Sequence, residues 1–352
     1  MKKIISFYFD GTWNDPESKT NVRIMYELTY GYEIYPNQRK EKKYKDKIDG
    51  ASHLKYYDKG VGTKIHDRIR GGVLGIGVKK NVAQAYDALV RCCGNTNDEV
   101  IKDTIYLFGF SRGAYTARLL SSILNKYGIQ KEVTGKDLIN AHFKKPKIIR
   151  GKSINIKFLG IWDTVVANGN PFSEIKFDPD NLRNKIGFTN LELSDNVEYA
   201  SHALAIDEHR VQFKQLPLKE SIRYPGRVEE CWFVGSHSNV GGGYRDNYLN
   251  LISCQWMQER ALSLGMRFYE SIQVDNKIYE EPVVDSYDVF LKPFGWIKFF
   301  TKRFYRNILI EEIPYQYIHP SVSKYINVNG GYRPKNIPCN VVNKKIKINI
   351  HS

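Results

Sequence analysis

The stretch Thr104-Ile-Tyr-Leu-Phe-Gly-Phe-Ser111-Arg-Gly-Ala-Tyr-Thr-Ala-Arg118 limits the folds open to this chain more than any other. An apolar run rich in β-formers stops at Gly109-Phe110-Ser111-Arg112-Gly113. A helical pattern then begins, with Ala114, Ala117, Leu120, Ile123 and Leu124 on one face. This is a G-x-S-x-G pentapeptide between strand and helix, the setting of a nucleophile elbow. A turn that tight forces Ser111 into a strained backbone and excludes bulk two residues before and after it. A glycine-rich turn with a capping serine satisfies the same local pattern, so the rest of the chain has to discriminate between the two.

Around this stretch the apolar strands alternate with helical patterns, which indicates an α/β fold with a mainly parallel sheet covered on both faces. The strands are Lys3 to Phe9, His53 to Tyr57, the elbow strand, Ile154 to Trp162, and Val228 to Gly235. Helices are expected after Thr20-Asn21, over about Val78 to Cys93, after Ser111, over Ser201 to His209, and from about Asn247 to Leu264. Regular alternation fades from residue 270, so the expected organisation is a catalytic domain over 1–270 and a C-terminal extension over 271–352 packed on it. No internal repeat is visible.

Two early motifs imitate phosphate chemistry and fail on essential residues. Asp10-Gly11-Thr12 after a hydrophobic strand is the pattern of a dehalogenase-type phosphatase loop, but the required aspartate two residues earlier is Tyr8. Gly71 to Gly77 lacks the G-K-[ST] ending of a P-loop. The five cysteines are irregularly spaced with no C-x-x-C pair, which argues against a disulfide framework and a zinc site. The apolar run after Lys2-Lys3 ends at Asp10, too short for a signal peptide. No stretch approaches the ~20 apolar residues of a membrane span.

A serine hydroxyl needs a histidine to take its proton and a carboxylate to orient that histidine. In a hydrolase elbow fold the chain order is Ser, Asp/Glu, His, and parallel sheets present such groups just past strand ends. Asp163 stands immediately after the strand ending at Trp162, whereas Asp195 and Asp207 have no evident strand feeding them. Among His202, His209, His237 and His319, only His237 follows a clear strand, in a glycine-rich loop that opens a helix. The backbone N–H of Arg112 and one from the Gly11-Thr12 loop are the expected oxyanion donors. The chemistry these residues suit is acyl transfer from an ester, and it requires no metal or cofactor.

Net charge is +15, from 53 basic and 38 acidic residues. Such a balance favours an anionic partner. A segment at Pro293 to Ile310 interleaves aromatics with cations. Trp296, Phe299, Phe300, Lys298, Lys302 and Arg303 are its candidate membrane contacts, with Arg306 among the cations; the alternative is an amphipathic helix packed on the domain. A basic nucleic-acid-binding module is the contrasting reading, but no nucleic-acid motif is present, so no nucleic acid is expected.

Phe9-Asp-Gly-Thr-Trp-Asn14, Gly60-Val-Gly-Thr63, Gly109 to Arg118, Leu159-Gly-Ile-Trp-Asp-Thr164, His202 to Arg210 and Trp232 to Tyr244 follow one another in the chain. Together they resemble an uncharacterised α/β-hydrolase domain family that includes the first family of type VI secretion lipase effectors, which act as phospholipases. The resemblance covers about residues 3 to 265 and implies an α/β-hydrolase-like fold with Ser111, Asp163 and His237 as the triad. It further implies a phospholipid substrate at a membrane surface, a secretion-spike carrier, an immunity protein, and export from the cytoplasm without a signal peptide. A soluble carboxylesterase or thioesterase on the same triad is the other enzymatic reading.

Overall fold

The computed structural model describes residues 2–11, 19–35, 52–60, 73–93, 99–144, 150–165, 192–291, 303–308 and 313–337. In chain order the elements are β1 (Ile4–Phe9), α1 (Asn21–Leu28), β2 (Tyr32–Ile34), β3 (His53–Asp58), α2 (Val73–Cys93), β4 (Val100–Phe110), α3 (Arg112–Tyr127), α4 (Gly135–Lys144), β5 (Ser153–Trp162), β6 (Val197–Ala205), β7 (Val228–Phe233), α5 (His237–Gly241), α6 (Asn250–Ser263), α7 (Ser286–Leu291), β8 (Gln316–Ile318) and α8 (Ser321–Val328). The strands form one 8-stranded sheet in the order β2-β3-β1-β4-β5-β6-β7-β8. Every pairing is parallel. This is the α/β architecture the alternation of strands and helices indicates.

A parallel sheet must bury both faces, because its crossovers lay helices on each side. Successive residues of β1 and β4 divide accordingly. Phe7, Phe9, Ile105 and Leu107 join an apolar layer with α2, α3 and α4. Tyr8, Tyr106 and Phe108 enter the opposite layer, with α1 and α6. Phe108 stacks on Tyr8 with ring centroids 5.0 Å apart and meets Phe158 edge-on at 5.8 Å. At α1, Thr20 caps the first turn by accepting from the Arg23 N–H at 3.1 Å.

The strand order locates the site. After β1 the chain builds β2 and β3 on one side, then crosses to β4 and proceeds outward on the other. The carboxyl ends of β1 and β4 therefore flank the topological switch point, where crevices open in such sheets. Ser111 is the residue that follows β4.

Two segments depart from the sequence reading. Ser201 to His209, expected as a helix, instead belongs to β6 and the loop after it. Ala-rich local propensity favours a helix, but hydrogen bonding to β5 on one side and β7 on the other overrides it. The aromatic-basic run is described only over residues 303–308, which have no helical conformation. The chain past residue 270 also adds β8 to the sheet beside β7. No helix among the described residues is long and apolar enough to cross a membrane.

The stacked aromatics carry a testable weight. Phe108→Ala should lower unfolding free energy by about 3–5 kcal/mol, measured by urea denaturation, because the ring is fully buried between two others. A loss of a few tenths would contradict this packing.

Candidate active site

The elbow is a place where backbones touch. A Cβ at residue 113 would lie 1.9 Å from the Phe9 carbonyl oxygen, and one at residue 109 would lie 2.5 Å from the Gly113 oxygen. Only glycine permits β1, β4 and the start of α3 to approach so closely. Ser111 between them has φ 58° and ψ −121°. Among the described non-glycine residues it shares positive φ only with Asp163, at φ 40°. Strain of this kind costs on the order of 1–3 kcal/mol per residue and clusters at functional sites. Both residues are pinned by backbone bonds to the neighbouring strand, Ser111 N–H to Trp162 O at 3.0 Å and Asp163 N–H to Ala203 O at 2.7 Å.

From these anchors the side chains converge. His237 Nε2 lies 2.8 Å from Ser111 Oγ, and His237 Nδ1 lies 2.5 Å from Asp163 Oδ2. A carboxylate only accepts, so Nδ1 carries the proton and donates to Asp163, leaving Nε2 to accept from the serine hydroxyl. His237 opens α5, where Ser236 and Asn239 close a reciprocal capping box. Its ring is flanked by Phe110 at 4.6 Å and Phe213 at 5.0 Å. Burial lowers the imidazole's pKa from its ordinary value, against the opposing pull of Asp163 and Glu208.

Asp163 is fully buried and its oxygens are saturated. Oδ1 accepts from the Ala205 N–H at 3.1 Å and from Arg306 Nη1. Oδ2 accepts from Arg306 Nη2 at 3.0 Å as well as from His237. Burial by itself would raise the carboxyl's pKa, but Arg306 and His237 outweigh it and hold it well below the usual carboxylate range. Arg306 is itself fully buried. This corrects the reading of Arg306 as a cation on a wet, lipid-facing surface: a dry carboxylate needs a dry counter-charge.

The next layer comes from the ends of β6 and β7. Glu208 is fully buried and receives Arg210 through Nε and Nη2, both at 2.8 Å, together with the His237 N–H at 3.2 Å and Ser286 Oγ at 2.9 Å. Burial would raise its pKa, but Arg210 takes it down to about 2. His202 accepts the Thr164 N–H at Nε2, 3.1 Å, and donates from Nδ1 to Glu230 Oε1 at 2.9 Å. Glu230 also accepts from the Leu218 N–H and Gln316 Nε2. The loop that follows Asp163 is thus fixed from β6, which lies beside β5.

Sequence reasoning singled out Ser111, Asp163 and His237, which the fold brings together. It did not single out Glu208 or Arg210, and it read Arg306 only as one of the cations of the aromatic-basic run. The Asp-Glu-His-Arg run over residues 207–210 was a usable signal for the first two, once β6 is seen as a strand. The Gly11 N–H donates to Asp10 Oδ1 at 2.7 Å, so that donor is committed. Thr12 lies outside the described residues. Arg112 is the first residue of α3, where the helix dipole presents its positive end. Of the candidate membrane contacts, Trp296, Lys298, Phe299, Phe300 and Lys302 lie outside the described residues. Arg303 is held by Asp285 and, at 3.2 Å, by Asp288.

Comparison with known proteins gives this site its context. A family model described as "T6SS, Phospholipase effector Tle1-like, catalytic domain" matches residues 2–147 and 130–260. An uncharacterized protein of Saccharomyces cerevisiae is 23% identical over 255 residues, which cover 61% of this chain and 32% of that protein. An uncharacterized protein from Pseudomonas aeruginosa has a crystal structure with a TM-score of 0.52 and 20% identity, covering 86% of this chain and 51% of its own, and so shares the fold. The Tle1 effector bound to the VgrG spike of a type 6 secretion system gives a TM-score of 0.39 and 21% identity over 69% of this chain and 51% of that one. The chain therefore spans about a third of that curated relative and about half of each of these two solved chains. The chain belongs to the Tle1-like type VI secretion phospholipase effector family, through its catalytic domain.

Proposed function

We propose that this protein is a serine-dependent lipolytic hydrolase of phospholipase A type, cleaving acyl esters of glycerophospholipids through Ser111, His237 and Asp163. The observation that carries the reading is the unbroken hydrogen-bonded line from Ser111 Oγ through the imidazole to a fully buried carboxylate, at strand ends of a Tle1-like domain. His237 Nε2 takes the Ser111 proton as Oγ attacks the ester carbonyl, and the tetrahedral oxyanion forms beside the Arg112 N–H at the start of α3. The imidazolium, stabilised by Asp163, returns its proton to the leaving lysophospholipid oxygen. A water activated by the same histidine then cleaves the acyl-Ser111 ester.

Membership in the effector family supports export by type VI secretion, with a spike protein as carrier and an immunity protein in the producing cell. The +15 charge supports action at an anionic bilayer surface.

Incubating the pure protein with glycerophospholipid vesicles and analysing the lipids tests the substrate class. Release of fatty acid and lysophospholipid is expected, and Ser111→Ala should reduce kcat by at least about a thousandfold. Hydrolysis of monomeric short-chain esters with no activity on vesicles would support the soluble esterase instead. The base must be neutral to act, and its pKa is depressed from 6.5, so the acid limb of kcat/KM should lie below pH 6.5. A limb above pH 6.5 would contradict a desolvated His237.

A further inference from the structure

We propose that Arg306 is a positioning residue of the Ser111–His237–Asp163 relay, and that the C-terminal part of the chain completes the catalytic centre by delivering its guanidinium to Asp163. The proposal rests on the serine-hydrolase reading above. Residue 306 lies beyond the family-matched residues, which end at 260, and it comes from the short segment 303–308.

The guanidinium's two terminal nitrogens make four hydrogen bonds to three residues. Nη1 donates to Asp163 Oδ1 and, at 3.0 Å, to the Ala205 carbonyl. Nη2 donates to Asp163 Oδ2 at 3.0 Å and to the Phe213 carbonyl at 2.6 Å. One planar fork thus joins the end of β5, the end of β6 and the turn that carries Phe213, whose ring flanks His237. A lysine ammonium cannot match both carboxylate oxygens and both carbonyls in one plane.

The segment that brings Arg306 is itself tied down. The Phe304 N–H donates to the His209 carbonyl at 2.9 Å, and His209 Nδ1 donates back to the Phe304 carbonyl at 3.0 Å. Arg303 is held by Asp285 and Asp288. Asn336 Nδ2 donates to the Arg306 carbonyl at 3.3 Å and to that of Ile206 at 3.0 Å.

This geometry sets a chemical consequence. The charged groups around His237 are Asp163 from β5, Glu208 and Arg210 from the loop after β6, and Arg306 from the C-terminal segment. With Arg306 in place, Asp163 remains an acceptor that fixes the imidazole, while part of its charge is answered by the guanidinium. With Arg306 neutralised, the proton on the Asp163–His237 pair becomes the only counter-charge touching that carboxylate. The pair then holds its proton to higher pH, and the base is unavailable where the wild type works.

The test compares wild type, Arg306→Gln, Arg306→Lys and Ser111→Ala on a soluble short-chain ester across pH, with folding checked by circular dichroism. Arg306→Gln should lose roughly 100-fold in kcat near neutral pH. Its acid limb should move up by about 1 to 3 pH units, with activity recovering on the alkaline side. Arg306→Lys, which keeps the charge but not the fork, should keep the wild-type limb and lose roughly 10- to 100-fold in kcat. A folded Arg306→Gln with wild-type kcat and limb overturns the proposal. If Arg306→Gln does not fold, Arg306→Lys decides, and an unchanged kcat overturns it. Retained activity in Ser111→Ala would overturn the serine reading itself, an outcome distinct from either arginine result.

Discussion

A carboxylate that touches no water must have its charge met inside the protein, and Asp163 is such a carboxylate. Stripping one partner from a buried ion pair costs about 3–5 kcal/mol, so the elements around Asp163 are bound to it energetically as well as chemically. Arg306 reaches it from the C-terminal segment, His237 from the turn after β7, and the Ala205 N–H from the end of β6. At positive φ the residue turns its carboxylate off the end of β5 toward His237 while its N–H stays on Ala203. Ser111 is oriented in turn by the imidazole that Asp163 orients.

The parallel sheet makes this convergence possible. Four neighbouring strands, β4 to β7, end on one edge and hand over Ser111, Asp163, Glu208 and His237 in spatial order. The layers on either side are dense with aromatic and branched residues, so the strand ends are rigid platforms for strained loops. A second set of buried pairs, Glu208 with Arg210 and Glu230 with His202, supports the first. It holds the His237 N–H on the Glu208 carboxylate and the Thr164 N–H on the His202 imidazole, so the loops that carry His237 and Asp163 are both braced from β6 and the loop after it.

Much of this was legible in the sequence because each main residue follows an apolar strand. Ser111 and Asp163 stand directly after long strands and His237 shortly after a shorter one, and chain order then restricts the candidates. The Ser201 to His209 segment misled, since a strand buried on both faces lacks alternation and its alanines favour helix until β5 and β7 are paired with it. β2 and β8, at three residues each, are too short to leave a period. Arg306 was hidden for a different reason. It lies in an aromatic and basic run whose composition suits a surface, and nothing local announces that its charge is answered by a carboxylate 143 positions earlier in the chain.

The central claim is that Ser111 carries the acyl group through the reaction. Acid-quenching the protein during steady turnover of a chromogenic short-chain ester, followed by peptide mass analysis, tests it directly. An acyl adduct on the peptide containing Ser111, absent from Ser111→Ala, is the predicted result; sustained turnover with no adduct at Ser111, or with the adduct on another residue, would contradict it.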